Sequence, residues 1–121
     1  MDSRTIKKLN EFRSKYFSTH YRADWNVIHL SGTSKEHQDM VYEICWWLYK
    51  NGIPFVTEPI LKSGYNPDIM TPIGMPKKVI EVRCSETDKL TKAKEVRIPD
   101  ELIDEIIYVD AGQKFTEKLI L

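Results

Sequence analysis

The sequence predicts a single α/β domain in which helices flank a mixed β-sheet. Two segments ahead of Gly52 have apolar residues at the 3.6-residue spacing of amphipathic helices. The segments after Gly52 are shorter, rich in Val, Ile and Phe, and separated by Pro, Gly and Asn, which is typical of strands and turns. A chain of 121 residues with 41% hydrophobic composition can build one core and is too short for two ordinary domains.

The first predicted helix runs from Arg4 to Ser18. Apolar residues recur at helical spacing, and basic residues fill the remaining faces: Arg4, Lys7, Lys8, Arg13 and Lys15. This basic face could contact phosphates, although solvated lysines are the commoner explanation for such a face. Residues 19–33 link this helix to the next element, and Trp25, Val27 and Ile28 within them either form a short strand or pack a connection over the core.

The second predicted helix, from Ser34 to Asn51, has the strongest signal in the chain. Its wide apolar stripe consists of Met40, Val41, Ile44, Cys45, Trp47 and Leu48. The residues 33–36 fit a capping box that pairs Thr33 with Glu36, and Gly52 supplies a stop. Adjacent Trp46 and Trp47 diverge by about 100° around a helix, so we expect one in the core and the other on a partner surface.

The second half of the chain predicts strands joined by turns. An edge or interrupted strand is expected over 53–61, because Pro54 and Pro59 cannot donate to a ladder. A hairpin is expected from Asp68–Met70, the turn over 71–78 and the return strand Lys78–Cys84. The remaining predicted segments are a polar loop or short helix over Ser85–Pro99, a strand over Ile103–Val109 and a last strand over Lys118–Leu121.

Asp68 and Glu81 lie thirteen positions apart on the two strands of the predicted hairpin. Pairing across the turn can bring their carboxylates together, and two adjacent carboxylates need either a cation or a shared proton. Oxygen ligands favour Mg²⁺ or Mn²⁺. Arg83 shares a strand face with Glu81 and could hold a phosphate. The alternative is a common Pro-Asp turn followed by an exposed cross-strand ion pair.

Pro67-Asp68, with Glu81-Val82-Arg83 beginning thirteen positions after Asp68, resembles the motif of the PD-(D/E)XK nuclease superfamily. This superfamily includes restriction enzymes, repair nucleases and archaeal Holliday-junction resolvases. The resemblance covers Ser34 to about Cys84 and extends to the strand near Ile106. It implies a restriction-endonuclease-like fold with a nuclease core over 34–121 and an N-terminal helical extension over 1–33.

The resemblance also implies a function, a metal-dependent DNA endonuclease that hydrolyses phosphodiester bonds, with a Holliday-junction resolvase as one form. It assigns Asp68 and Glu81 as ligands of Mg²⁺ or Mn²⁺ and Glu36 as an additional acid, although the capping box also explains Glu36. Resolvases act as symmetric dimers, which predicts a homodimer. The candidates for contact with the DNA substrate are His37, Lys62 and Lys78, yet a first-turn histidine needs no function.

Arg83 stands where the family pattern has lysine, and a guanidinium stays protonated at any working pH, so it cannot serve as a base. Lys62, Lys77 or Lys78 could supply an ammonium instead. The alternatives are a nuclease-like DNA-binding module that has lost cleavage, or a protein-interaction domain that recruits another factor through an exposed apolar surface.

Composition bounds the function classes further. Eighteen basic and eighteen acidic residues cancel, so any surface for nucleic acid must come from locally segregated charge. Cys45 and Cys84 lack metal-type spacing, and we expect both to be buried reduced thiols. The sequence contains neither a signal-peptide pattern nor a run of roughly 18 apolar residues, which predicts a soluble cytoplasmic protein without a membrane partner.

Overall fold

The structure is a computed structural model that describes residues 1–19, 24–29, 34–73, 76–84 and 103–121. These residues form a mixed α/β arrangement, as the sequence predicts. Its elements are α1 (Ser3–Tyr16), α2 (Lys35–Lys50), β1 (Val56–Thr57), β2 (Ile69–Thr71), β3 (Lys78–Arg83), β4 (Glu105–Asp110) and a 3-10 helix (Glu117–Leu119). None of the described helices is both long and apolar enough to cross a lipid bilayer.

The four strands form one mixed sheet in the order β1-β2-β3-β4. The pairs β1–β2 and β2–β3 are antiparallel, with Ile69 opposite Ile80, which confirms the predicted hairpin. Strands β3 and β4 are parallel, with Ile80 opposite Ile107. Parallel neighbours need a crossover connection. The predicted loop or helix over Ser85–Pro99 belongs to that connection and lies outside the described residues.

Helix α2 begins and ends close to the predicted residues, but its N-terminal cap differs from the prediction. Ser34 is the N-cap, and its hydroxyl accepts the backbone N–H of His37 at 3.2 Å. His37, rather than Glu36, therefore occupies the third helical position, and the predicted capping box is wrong. At the other end, Gly52 adopts a φ of 70°, a left-handed conformation that favours glycine as a helix stop.

Among the described residues, α2 packs against one face of the sheet and α1 against the other. Ile80 and Val82 belong to the α2-side cluster, which consists of Met40, Val41, Ile44, Cys45, Leu48, Phe55, Ile69, Ile80, Val82, Val109, Ala111 and Ile120. Val79 belongs to the α1-side cluster, which consists of Phe12, Phe17, Val56, Leu61, Tyr65, Met70 and Val79. Because side chains alternate along a strand, β3 is covered on both faces. The N-terminal segment thus contributes to the packed core.

The remaining strand predictions have mixed outcomes. Residues 24–29 form a connection, which is one of the two predicted alternatives, and Asn26 binds Phe55 through both its backbone N–H and its side-chain oxygen. The edge or interrupted strand expected over 53–61 is present as the short edge strand β1, which lies between the two prolines. The strand predicted for Lys118–Leu121 is wrong, because local hydrogen bonds from Leu119 and Ile120 close a 3-10 turn there.

The cysteine and tryptophan predictions have mixed outcomes. Both cysteines are free, and Cys45 is buried as expected. Cys84 is exposed, which contradicts the prediction, because it lies just beyond the end of β3. Its sulfur lies 3.3 Å from the hydroxyl of Ser34.

Trp47 packs partly against the α2-side cluster, whereas Trp46 is 47% exposed. The assignment of one tryptophan to the core is therefore confirmed.

Candidate functional site

The pairing of β2 with β3 places Asp68 beside Glu81. Ile69 lies opposite Ile80, and continuing this antiparallel register by one residue sets Asp68 opposite Glu81. The backbone N–H of Asp68 donates to Oε1 of Glu81 at 2.8 Å. The predicted meeting of these two residues across the hairpin is therefore present in the fold.

Glu81 is a buried carboxylate in the middle of β3, with only 3% of the residue exposed. Besides the N–H of Asp68, its side chain hydrogen-bonds the hydroxyl of Tyr65, which is equally buried. Burial, followed by the charge of Glu81 and this hydrogen bond, raises the pKa of Tyr65. The Tyr65 hydroxyl therefore stays protonated and donates a hydrogen bond to the carboxylate, which offsets part of the cost of burying that charge.

Asp68 is held from two directions. The backbone N–H of Val82 donates to its Oδ2 at 2.8 Å, and its Oδ1 lies 3.3 Å from Nε2 of His37. The side chains of His37 and Asp68 are 12% and 23% exposed, so this contact is near the surface but shielded from bulk water. Because Ser34 fixes the first turn of α2, the helix positions the imidazole over the carboxylate.

Arg83 makes its described contacts with β4. Its Cζ lies 5.1 Å from the ring centroid of Tyr108, and Nη2 lies 3.4 Å from Oδ1 of Asp110. The Nε atom is buried and has no hydrogen-bond partner among the residues that the structure describes. Tyr108 is opposite Glu81 in the parallel register, so Arg83 and the carboxylates share one region of the sheet.

The other candidates lie in separate surroundings. Glu36 is exposed and lines a surface cleft with Asp39, Glu43 and the turn after β4. The ammonium of Lys62 donates to the carbonyl of Ser14 at 3.0 Å. The ammonium of Lys78 donates to the carbonyl of Ile120. An odd spacing along β3 puts Lys78 on the sheet face opposite to that of Glu81.

Tyr65 is the residue of this site that the sequence reasoning missed. It lies in the segment between Lys62 and Pro67, which composition marks only as a loop. A large aromatic residue in an otherwise polar loop is the one signal that could have predicted its burial. Its hydrogen bond to Glu81 depends on how the loop folds back over the sheet.

The carboxylate pair offers oxygen donors suited to a hard divalent ion. Within the described ranges, no group of three or more His, Cys, Asp or Glu side chains is arranged to hold a metal. Mg²⁺ is commonly bound through one or two protein carboxylates, with water and phosphate oxygens completing its shell. Asp68 and Glu81 match that smaller requirement in the chemistry of their donor atoms.

Comparison with known proteins identifies no family for this chain. No protein-family model, no curated protein and no solved structure matches it. The likeness to PD-(D/E)XK nucleases therefore remains an expectation from the motif around Asp68 and Glu81.

Proposed function

We propose that this protein is a metal-dependent endodeoxyribonuclease with a restriction-endonuclease-like fold. The observation that carries the proposal is the position of Asp68 directly beside buried Glu81, where β2 pairs with β3. Two adjacent carboxylates, one of them buried, form a site that a divalent cation would stabilise. The order of helix, hairpin and return strand that underlies the resemblance agrees with α2, β2 and β3.

The chain's own residues would divide the work of phosphodiester hydrolysis. Asp68 and Glu81 would hold Mg²⁺ or Mn²⁺, which when bound supplies a water of lowered pKa and neutralises phosphate charge. Tyr65 fixes the direction of Glu81, and His37 fixes that of Asp68. Arg83 brings a permanent positive charge that can offset charge on the phosphate but cannot accept a proton.

Glu36 enters the proposal as an additional acid only through the family resemblance. It is the second residue of α2 and directly precedes His37. It therefore belongs to the same helical turn as the imidazole that contacts Asp68. Its assignment to the candidate site can be checked with Glu36→Gln in the same cleavage assay. Lys78 has no role in the proposed site, because its ammonium donates to the carbonyl of Ile120 on the sheet face opposite to that of Glu81.

The first prediction concerns Asp68→Asn and Glu81→Gln. Each change keeps an oxygen that can accept the observed backbone hydrogen bond but removes the charge that would hold the metal. Cleavage should fall on the order of a hundredfold or more, which corresponds to a few kcal/mol of lost transition-state stabilisation. The measurement is cutting of labelled duplex, single-stranded and four-way-junction DNA in Mg²⁺, Mn²⁺ or EDTA.

Glu117→Gln is the matched control, because Glu117 is an exposed carboxylate on the 3-10 helix. It should cut as the wild type does. Equal cutting by the wild type and both site variants, with folding unchanged, would contradict the nuclease proposal. Preferential cutting of the four-way junction would assign the protein to the resolvases.

A second candidate function is a nuclease-like module that binds DNA without cutting it. The observation that favours it is Arg83, which stands in the place of the family's lysine and whose guanidinium contacts Tyr108 and Asp110. This module would retain DNA in Mg²⁺ without cleavage. Cutting that appears only in Arg83→Lys would support this second function, because it would restore the ammonium.

A resolvase needs two cuts, so the proposal includes a symmetric homodimer in which each copy supplies one site. Sedimentation velocity of the wild-type chain, alone and with junction DNA, measures the number of copies. A monomer in both conditions would limit the proposal to an endonuclease that makes single cuts.

A further inference from the structure

Charge is unevenly distributed over this neutral chain. Helix α1 contains five basic residues and one acidic residue, which gives it a net charge of +4; because the whole chain sums to zero, the remainder carries −4. Local segregation of this kind creates a positive surface where the overall composition predicts none.

The basic residues of α1 lie mainly along one exposed strip of the helix. At about 100° per residue, Arg4, Lys7, Lys8 and Lys15 fall within an arc of roughly 100°, and all four are exposed. Exposed Glu11 lies within the same arc, so this strip of the helix contains four basic residues and one acidic residue. We name these four residues the basic stripe. At 1.5 Å per residue the stripe is about 16 Å long, which matches about five successive phosphates of one DNA strand measured along the duplex axis.

Packing fixes the basic stripe on the side of the sheet that carries Glu81. Phe12 of α1 belongs to the same buried cluster as Val79, and Val79 and Glu81 share a strand face because they are two residues apart. Phe12 packs edge-on against Phe17, with ring centroids 5.7 Å apart. The helix is therefore anchored over the face from which Glu81 projects.

The C-terminal end of α1 is joined directly to the segment that leads to Asp68. The N–H of Lys62 donates to the carbonyl of Tyr16 at 2.9 Å, and its ammonium donates to the carbonyl of Ser14 at 3.0 Å. Three residues later, Tyr65 hydrogen-bonds Glu81. Lys62 thus adds an exposed positive charge at the C-terminal end of α1, three residues before Tyr65.

We infer that the basic stripe binds the phosphate backbone of duplex DNA and directs the duplex toward Asp68 and Glu81, an inference that rests on the proposed function. The charge and length of the stripe complement a strand of phosphates. An anionic membrane is the other polyanion to consider. It fits less well, because the apolar face of α1 is buried against the sheet and cannot enter a bilayer surface.

The test is the salt dependence of DNA binding in EDTA, where no metal-dependent cleavage occurs. Fluorescence anisotropy of a labelled duplex would compare the wild type with Lys7→Gln/Lys8→Gln, which keeps the helix propensity of these exposed positions. Removing two phosphate contacts should reduce the slope of log affinity against log salt by about 2. The control is Lys114→Gln/Lys118→Gln, which removes two exposed lysines from the C-terminal segment and should leave the slope unchanged.

An unchanged slope in Lys7→Gln/Lys8→Gln, an equal change in the control, or a wild type that does not bind duplex would overturn the inference. Loss of binding to phosphatidylserine vesicles, with duplex binding intact, would also overturn it in favour of a membrane. The nuclease proposal is tested separately, since Asp68→Asn and Glu81→Gln should lose cutting and keep the wild-type salt slope. If no protein cuts but the stripe variant still has the reduced salt slope, the basic stripe binds duplex DNA and only the nuclease proposal fails.

Discussion

The hydroxyl of Tyr65 supports the buried charge of Glu81 through a hydrogen bond. Tyr65→Phe keeps the ring in the α1-side cluster and removes the donor. Because a buried acceptor loses a partner, we expect a loss of about 1–3 kcal/mol in the free energy of unfolding. Urea denaturation measures the change. Tyr42→Phe, on an exposed tyrosine of α2, is the control, and equal midpoints in the two variants would contradict the role of Tyr65.

Cys45 couples stability to alkaline pH. Burial raises the pKa of its thiol from 9.0 to about 12. A group whose folded pKa exceeds its unfolded pKa stabilises the fold below the unfolded value, and that contribution is lost as pH rises from 9.0 through about 12. As pH rises over this interval, the free energy of unfolding should therefore fall less in Cys45→Ala than in the wild type. Urea denaturation at several pH values measures both.

Exposed Cys84 is the control for this prediction. Cys84→Ala removes a cysteine side chain from an exposed position, whereas Cys45→Ala removes one from the core. A wild-type dependence in Cys45→Ala as well would show that other groups account for the alkaline loss of stability.

At the scale of elements, the first turn of α2 depends on Ser34. Its hydroxyl is the N-cap acceptor for His37, which in turn contacts Asp68. Ser34→Ala should cost about 1 kcal/mol of stability, whereas Ser34→Asp should retain the cap. Thermal or urea unfolding measures the stability of both variants. The control is Ser14→Ala, at an exposed position of α1. Equal stability of Ser34→Ala and Ser34→Asp would show that the cap contributes nothing measurable.

The element predictions succeeded where the signal is local. Apolar periodicity and a glycine stop define α2, and alternation with turn residues defines the hairpin of β2 and β3. The predicted C-terminal strand failed because β-propensity does not supply a partner strand. Ile120 is apolar for a different reason, since it fills the α2-side cluster after a 3-10 turn.

At the scale of the whole molecule, α1 covers one face of the sheet in the part of the chain that the structure describes. Removing residues 1–19 would expose Val56, Leu61, Met70 and Val79 to water. We expect the truncated chain to lose its cooperative unfolding transition, because a sheet with one uncovered apolar face lacks half of its core. Circular dichroism during urea unfolding tests this. Removal of exposed Leu121 alone is the control.

A truncated chain that unfolds cooperatively at the wild-type midpoint would mean that residues 20–121 form a complete core and that the segment before them is an accessory. That outcome would agree with the predicted division into an N-terminal extension over 1–33 and a core over 34–121.

By itself, the sequence determined the α/β class, both helices, the hairpin and the meeting of Asp68 with Glu81. These follow from short-range patterns, since the length of the turn sets the register of a hairpin, here with Ile69 opposite Ile80. Only the tertiary structure decided the partners of the carboxylates and of Arg83. Tyr65 reaches Glu81, His37 reaches Asp68, and Arg83 reaches Asp110 across separate elements. Such contacts depend on how helices and loops pack on the sheet, and no local periodicity records that packing.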